Sequence, residues 1–304
     1  MPPEPDMQEC RILIIDDSVT MQRLLGSLLK ECGQIVCAIS GAQGIDLART
    51  LRPQLVLLDV EMPGMNGYEV CAALKADEVT RDSAIIFVTA TNSMESEVAA
   101  LEAGAVDFIT KPINPPTALA RVRTHIKLQQ HALAMQYLAQ RDGLTGIFNR
   151  RFFDAQLELE IARHRRQGLP LGLALIDIDH FKLYNDHYGH QLGDSCLQAV
   201  ANCLANSTRR PGEVMARYGG EEFVALLPYC SAEDVLKYGT HLCAQVQQLQ
   251  LPHAASTVCG EVTISVGVAS VLPDATMLAA ELVGKADAAL YRAKSAGRNQ
   301  AVLA

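Results

Sequence analysis

What this sequence lacks narrows its function first. No apolar run among its 304 residues approaches the ~18 that a membrane span requires, so no transmembrane helix is expected. The first ten residues, MPPEPDMQEC, show no basic stretch followed by an apolar one. Neither a secretory signal nor a transit peptide is therefore expected, and the chain is expected in the cytoplasm. Nine cysteines include no C-x-x-C pair and no histidines at zinc spacing, which argues against a disulfide framework and a structural metal. They are expected reduced and mostly buried. Cys196 and Cys203, seven apart in a helical pattern, should share a core-facing side. A concentrated basic face is also missing: the net charge is −8, which excludes a nucleic-acid surface. Residues 1–125 hold 10 basic and 17 acidic side chains, whereas residues 126–304 hold 16 and 17. An acidic first part and a balanced second part should do different work.

With 49% hydrophobic and 20% charged residues the composition is globular, and the length suits two domains. Apolar runs at Ile12–Ile15, Leu55–Leu58 and Ala84–Val88 alternate with helical patterns at Met21–Lys30 and Gly44–Leu51. That alternation predicts a doubly wound parallel sheet with ligands at the carboxyl ends of its strands. Those ends carry Asp16 and Asp17, then Asp59, then Thr89 and, after the short fifth segment DFIT, Lys111. Clustered carboxylates repel unless a cation joins them, and a hard divalent ion suits oxygen ligands. Asp59 could then attack a phosphoryl donor, with Thr89 and Lys111 placed to meet the new phosphate oxygens.

The blocks IIDDS, LLDVEMPGMNG, VTAT and KP, in this order and spacing, resemble a response-regulator receiver domain over about residues 10–125. The resemblance implies a flavodoxin-like fold with Asp59 as phosphoacceptor and a histidine kinase as partner. It implies that Asp16, Asp17, Asp59 and the backbone carbonyl of Glu61 hold Mg²⁺ (or Mn²⁺). It also makes Thr89, Phe108 and Lys111 the switch residues, with a cis peptide at Lys111-Pro112.

No Gly or Pro interrupts the chain from Thr117 to Asp142, which predicts a helical stalk over 115–141 continuing the last receiver helix. Leu119, Ile126 and Leu133 repeat every seven residues, but the companion positions are Val122, Gln129 and Gln136. The stalk reads either as a weak coiled coil with a second copy or as a simple docking helix. Residues 1–9 are left as a tail, and residues 142–304 form the second domain.

In that domain the stretch ARYGGEEFVALLP reads as a hairpin, with strands at Val214–Tyr218 and Phe223–Leu227 around Gly219-Gly220 and Glu221-Glu222. An apolar strand, LGLALID, ends in Asp177-Ile178-Asp179. Carboxylates from both could share a divalent cation, which usually also takes phosphate oxygens, so a polyphosphate is the expected ligand. Lys294 and Arg298, four apart on a predicted helical face, and Lys182 at a helix start could hold its phosphates.

The blocks DGLTGIFNRR, LIDIDHFKLYNDHYGHQLGD, RYGGEEF, ISVGVA and ADAALYRAKSAGRN resemble the GGDEF domain of diguanylate cyclases over about residues 140–304. Glu stands where the family name has Asp. The resemblance implies an α+β fold similar to the palm of nucleotide cyclases and polymerases. Asp177, the carbonyl of Ile178 and Glu221 would hold Mg²⁺ (or Mn²⁺), with Glu222 supporting them or acting as base. Asn185 and Asp194 would read guanine, or else cap helices. His180, Phe181, Lys182, Lys294 and Arg298 would hold phosphates. The window RPGE places Arg210 and Glu213 where many family members bind their product as an inhibitor at R-x-x-D, with Glu here for Asp; the alternative is a charged turn before a strand. Two GTP would give cyclic di-GMP and two pyrophosphates across a homodimer or higher oligomer, set in register by phosphorylation. The competing reading is a catalytically inactive module that binds GTP or cyclic di-GMP and signals to a protein partner.

Overall fold

The computed structural model describes residues 10–90, 102–208 and 210–304. The expected tail 1–9, Thr91 at the end of VTAT, and Arg209 lie outside the described residues. Two compact units divide at Met135/Gln136, within a single long helix.

In the first unit five strands, β1 (Arg11–Ile15), β2 (Gln34–Ala38), β3 (Leu55–Asp59), β4 (Ala84–Thr89) and β5 (Asp107–Thr110), form one sheet in the order β2-β1-β3-β4-β5. All four pairings are parallel. Every residue of β3 and β4 is buried, because helices cover both faces of a parallel sheet and leave no side for alternation. Helices α1 (Val19–Leu29), α2 (Gly41–Leu51) and α3 (Gly67–Ala76) start on side-chain caps from Ser18, Ser40 and Asn66, the last a capping box with Glu69. Each cap satisfies an N–H that the first turn leaves without a partner.

Helix α4 runs for 26 residues, Pro115–Gln140. Its first half corrects the heptad reading. Ala118, Val122 and Ile126 are buried against the apolar face formed by β1, β3 and β4, so Val122 and Ile126 pack in the core of their own unit. Leu128, Leu133, Met135 and Leu138 further along are exposed.

In the second unit six strands run in the order β11-β10-β7-β9-β8-β6. They are β6 (Phe148–Asn149), β7 (Leu171–Ile178), β8 (Val214–Gly219), β9 (Glu222–Pro228), β10 (Ile264–Val271) and β11 (Ala301–Leu303). β7 lies between antiparallel neighbours β10 and β9, and all eight of its residues are buried. Helices α6 (Phe181–Tyr188), α7 (His190–Asn206) and α8 (Ala232–Gln247) cover one face. Helices α5 (Arg150–Gln167) and α9 (Ala279–Ser295) cover the other. The period-2 rule of strands then sorts the functional side chains: Leu171, Leu173 and Leu175 face α5 and α9, as do Val224 and Leu226. Cys196 is buried and the partly buried Cys203 packs against the same core cluster, as their spacing predicted. Burial pushes the Cys196 thiol up to about 12, so it packs as a small apolar group.

Candidate active site

The parallel sheet of the first unit brings Asp16, Asp17 and Asp59 to one edge, with ligand oxygens within 4.8 Å of one another. Asp16 and Asp59 are buried and Asp17 is exposed. Lys111 reaches across with Nζ 2.7 Å from Asp59 Oδ2 and 3.7 Å from Asp16 Oδ2. Burial alone would lower the Lys111 pKa, but its hydrogen bond to Asp59 and the Asp16 and Asp59 charges hold it above the usual lysine range. Burial pushes the Asp16 carboxyl up, and its Oδ2 is buried without a hydrogen-bond donor among the described residues. An orphaned carboxylate oxygen in an all-oxygen cluster fits a hard cation. Thr89 is buried at the end of β4, Phe108 is half-buried in β5, and Lys111-Pro112 is cis. The backbone N–H of Glu61 donates to Asp59 Oδ1 at 3.3 Å.

In the second unit Asp177 is the penultimate residue of β7, and the β7–β9 register sets Glu222 directly opposite it. Glu221 occupies the turn with Gly220, whose φ of +54° lies in the left-handed region that favours glycine. The predicted Gly-Gly turn is thus displaced by one residue: Gly219 still pairs in β8, and a bulge falls between Arg217 and Gly219. Burial pushes the Asp177 carboxyl up to about 6, against the hydrogen bond and charge of Lys294, and Glu221 and Glu222 add to the rise. Lys294 Nζ lies 2.7 Å from Asp177 Oδ2. A buried carboxylate crowded by two more acids fits a divalent cation as well.

One sequence expectation is corrected. Arg298 does not share a helical face with Lys294: α9 stops at Ser295, and Arg298 and Asn299 take φ of +65° and +47° after Gly297 at +113°. Glycine ends the helix in the left-handed manner, and the chain turns back.

Asn185 and Asp194 do not cap helices. The cap positions before α6 and α7 are His180 and Gly189, neither with a side-chain cap bond. Instead Asn185 lies over Gly193, where a Cβ would come within 1.8 Å of Asn185 Oδ1. Only glycine permits that approach, and Asp194, the next residue along α7, is exposed. Asn185 Oδ1 is buried against Gly193 and has no hydrogen-bond partner among the described residues. Lys182 is exposed in the first turn of α6, and His180 before it holds φ +56°. For a residue with a Cβ that conformation costs roughly 1–2 kcal/mol.

Residues 139–300 match the GGDEF domain of diguanylate cyclases. The chain belongs to that family. Residues 12–123 match the response regulator receiver domain. Response regulator PleD of Caulobacter vibrioides is 32% identical over 306 residues, covering 96% of this chain and 65% of PleD. The probable diguanylate cyclase DgcC of Escherichia coli is 36% identical over 182 residues, covering 60% of this chain and 48% of DgcC. The chain thus spans less than two thirds of the length of either relative. Among solved structures, the coiled coil and GGDEF domain of DgcB from Caulobacter crescentus, in complex with c-di-GMP, matches with a TM-score of 0.56 and 32% identity, covering 62% of this chain and 98% of that one. Among the described residues no helix is long and apolar enough to cross a membrane.

Sequence reasoning passed over Asp179 in this GGDEF domain. Its buried carboxylate accepts from Ser265 Oγ at 2.6 Å, Thr263 Oγ1 at 2.8 Å and the backbone N–H of Asn299 at 3.1 Å. It therefore ties the end of β7 to β10 and to the turn that carries Arg298. The signal was present in the D-I-D spacing, which puts Asp177 and Asp179 on the same side of an extended chain.

Proposed function

We propose that this chain is a diguanylate cyclase controlled by phosphorylation of its receiver, condensing two GTP into cyclic di-GMP with release of two pyrophosphates. The observation that carries the reading is the meeting of Asp177, Glu221 and Glu222 with Lys294 at the end of β7, together with the orphaned Asn185 acceptor over Gly193. Bound Mg²⁺ or Mn²⁺ supplies the positive charge that phosphate oxygens and a developing 3′-alkoxide require. Asp177, the Ile178 carbonyl and the hairpin glutamates would hold it, and the register favours Glu222 beside Asp177. Lys294 is the counter-ion of Asp177 in the protein alone and would be free to meet the β and γ phosphates with a cation at Asp177. Lys182, Arg298 and the main chain of His180 and Phe181 meet the same phosphates. Asn185 accepts from the guanine, and Asp194 accepts from its N1–H and exocyclic amine, donors that adenine cannot match.

Each 3′-hydroxyl oxygen attacks the α-phosphorus of the other GTP, the bond to pyrophosphate breaks, and Glu221 is placed at the hairpin tip to take the hydroxyl proton. One domain holds one GTP, so two copies must face each other. The exposed second half of α4, with Leu133 on the heptad and Met135 and Leu138 beside it, is the surface we assign to that pairing. A histidine kinase is the expected phosphodonor for Asp59.

Purified chain with GTP and Mg²⁺, with and without a small phosphodonor, tests the reading by chromatography of the product. Cyclic di-GMP formed faster with the donor supports it, whereas GTP binding with no product would leave the inactive-module reading. Asp59→Asn removes the nucleophile and should cut donor-stimulated activity about tenfold or more and reduce self-association, read by sedimentation. Equal rates and equal sedimentation would show that the receiver does not act this way.

Arg210 and Glu213 close a tight turn: the Arg210 N–H donates to Glu213 Oε2 at 3.0 Å, and Glu213 N–H donates to the Arg210 carbonyl at 3.1 Å. The Arg210 residue is exposed. A guanidinium can pair bidentately with a guanine edge or a phosphate, whereas Glu213 adds a methylene and rotamer freedom relative to aspartate, so product inhibition should persist in weakened form. Arg210→Ala should weaken it about tenfold or more, the value of a lost charge-assisted contact. Superimposable cyclic di-GMP inhibition curves would remove the site.

A further inference from the structure

The connection between α8 and β10 does more than join them. It is pinned at its base by the Val262 N–H to Leu251 carbonyl bond (2.8 Å) and the His253 N–H to Gly260 carbonyl bond (2.8 Å). Its body then touches α6 at three levels. His253 Nε2 lies 3.3 Å from the His180 carbonyl, and Thr257 Oγ1 lies 2.9 Å from His180 Nε2. The His253 ring meets Tyr184 edge-on at 5.2 Å. The Ala254 N–H donates to the Tyr188 hydroxyl at 2.9 Å.

His180, Tyr184 and Tyr188 are spaced by four, so they form one stripe along the helix. The connection grips that stripe from the residue before the first turn to the last residue. Lys182 lies two positions along from His180, off the stripe, and is exposed.

Two features show that α6 needs such a grip. At eight residues it is too short to persist by its own hydrogen bonds, and it has no side-chain cap. Its entry residue, His180, is held in a left-handed conformation that a side chain disfavours. His253 is buried to 1% exposure, far along the sequence, and among the described residues its ring hydrogen-bonds only that residue's carbonyl. A histidine that only filled space would have no reason to spend its donor there.

We propose that Leu251–Glu261 is a clip that positions the nucleotide-binding helix α6, with His253 as its central positioning residue. By fixing the His180 carbonyl it sets the left-handed turn, and with it the direction in which Phe181 and Lys182 present the start of the helix to the triphosphate. Thr257 secures the same residue through its imidazole. His253 touches no substrate and acts through His180. This inference rests on the preceding assignment of α6 to GTP.

The test uses the full chain carrying His253→Leu, His253→Gln or Thr257→Val, compared with wild type. Gln keeps an amide donor near the position of Nε2, whereas Leu keeps only bulk. Three readouts are taken: KM and kcat for GTP with Mg²⁺, binding of a non-hydrolysable GTP analogue by calorimetry, and amide exchange of residues 181–188. His253→Leu should raise KM and weaken analogue binding about tenfold, the value of one lost hydrogen bond, with kcat at saturation changed less than about threefold. Exchange over 181–188 should accelerate by a similar factor, and Gln should recover most of each effect. Thr257→Val, at an exposed position that threatens the fold less, should move the same readouts in the same direction by a smaller factor. If Leu fails to fold, Gln and Thr257→Val still decide. Unchanged KM and exchange in folded Leu, or in Thr257→Val when Leu is lost, would overturn the clip. Equal damage from Gln and Leu would overturn the role of the hydrogen bond. A wild-type chain that binds no GTP overturns the functional assignment and the positioning role with it, whereas intact wild-type binding that survives in His253→Leu overturns the positioning role alone.

Discussion

Asp177→Asn should abolish cyclic di-GMP synthesis, by on the order of 10³-fold or more, while making the metal-free chain more stable at neutral pH. The two effects have one cause. The carboxyl titrates near 6 in the folded chain because burial disfavours its charge, with Glu221 and Glu222 adding to the rise over the opposing pull of Lys294. In the unfolded chain an aspartate titrates near ~3.9. Below that value both states carry the proton and Asp177 makes no difference to stability. Between about 3.9 and 6 the unfolded chain gives up the proton while the folded chain still holds it, so stability falls across that window and levels off above 6, where the folded state carries a charge that its surroundings oppose. Two pKa units correspond to about 3 kcal/mol, which is the upper size of the loss above pH 6. An asparagine does not titrate and escapes it. Removing the anion also releases Lys294, but that side chain is 34% exposed and regains water at little expense.

Thermal unfolding of wild type and Asp177→Asn at pH 4.5, 6 and 7.5, in chelator, checks the sign. The variant's advantage should open between the first two values and level off by the third. Added Mg²⁺ should raise the wild-type midpoint at pH 7.5, since a cation that binds only the folded carboxylate stabilises that state. A variant that keeps its turnover, or a difference that does not depend on pH, would remove Asp177 from the cation site.

Much of this site was legible because its chemistry sits at strand ends. Asp16, Asp17, Asp59 and Asp177 each follow or close a run of buried aliphatic residues, and such runs read as strands without help from tertiary structure. The edge strand Gln34–Ala38 went unread for the opposite reason: only Ala38 is buried, so its five residues carry neither alternation nor a continuous apolar run. Arg298 was placed on a helix because period 3.6 was carried through Ser295 without weighing Gly297, whose conformational freedom ends helices. The partners of Asp179 lie 84 to 120 residues away, and those of His253 about 70. A contact of that range leaves no periodic trace, and a single histidine in a polar connection looks like any solvated residue until the fold closes around it.

The hairpin glutamates divide between two roles, and replacing each by glutamine should separate them. Antiparallel pairing puts Glu222 directly across from Asp177, where Cβ atoms stand about 5 Å apart and two carboxylates can share one cation. Glu221, beside Gly220 in the turn, is not fixed by the ladder, yet its charge weighs more on Asp177 than that of Glu222. We propose Glu222 as the ligand on the strength of the ladder, because coordination requires a fixed distance whereas a through-space charge acts from several directions. Glu222→Gln should therefore raise the Mg²⁺ concentration for half-maximal activity by about 10²-fold, with part of the rate recovered at high Mg²⁺. Glu221→Gln should leave that concentration within about threefold and lower kcat at saturating Mg²⁺ by about 10²-fold or more, as loss of a proton acceptor does. Glutamine keeps the shape of each side chain, and neither glutamate is buried, so both variants should fold. The opposite pattern, with Glu221→Gln shifting the Mg²⁺ requirement and Glu222→Gln slowing a saturated enzyme, would return the ligand role to Glu221 and make Glu222 the base. A Mg²⁺ titration of initial rates for the two variants and wild type decides between them.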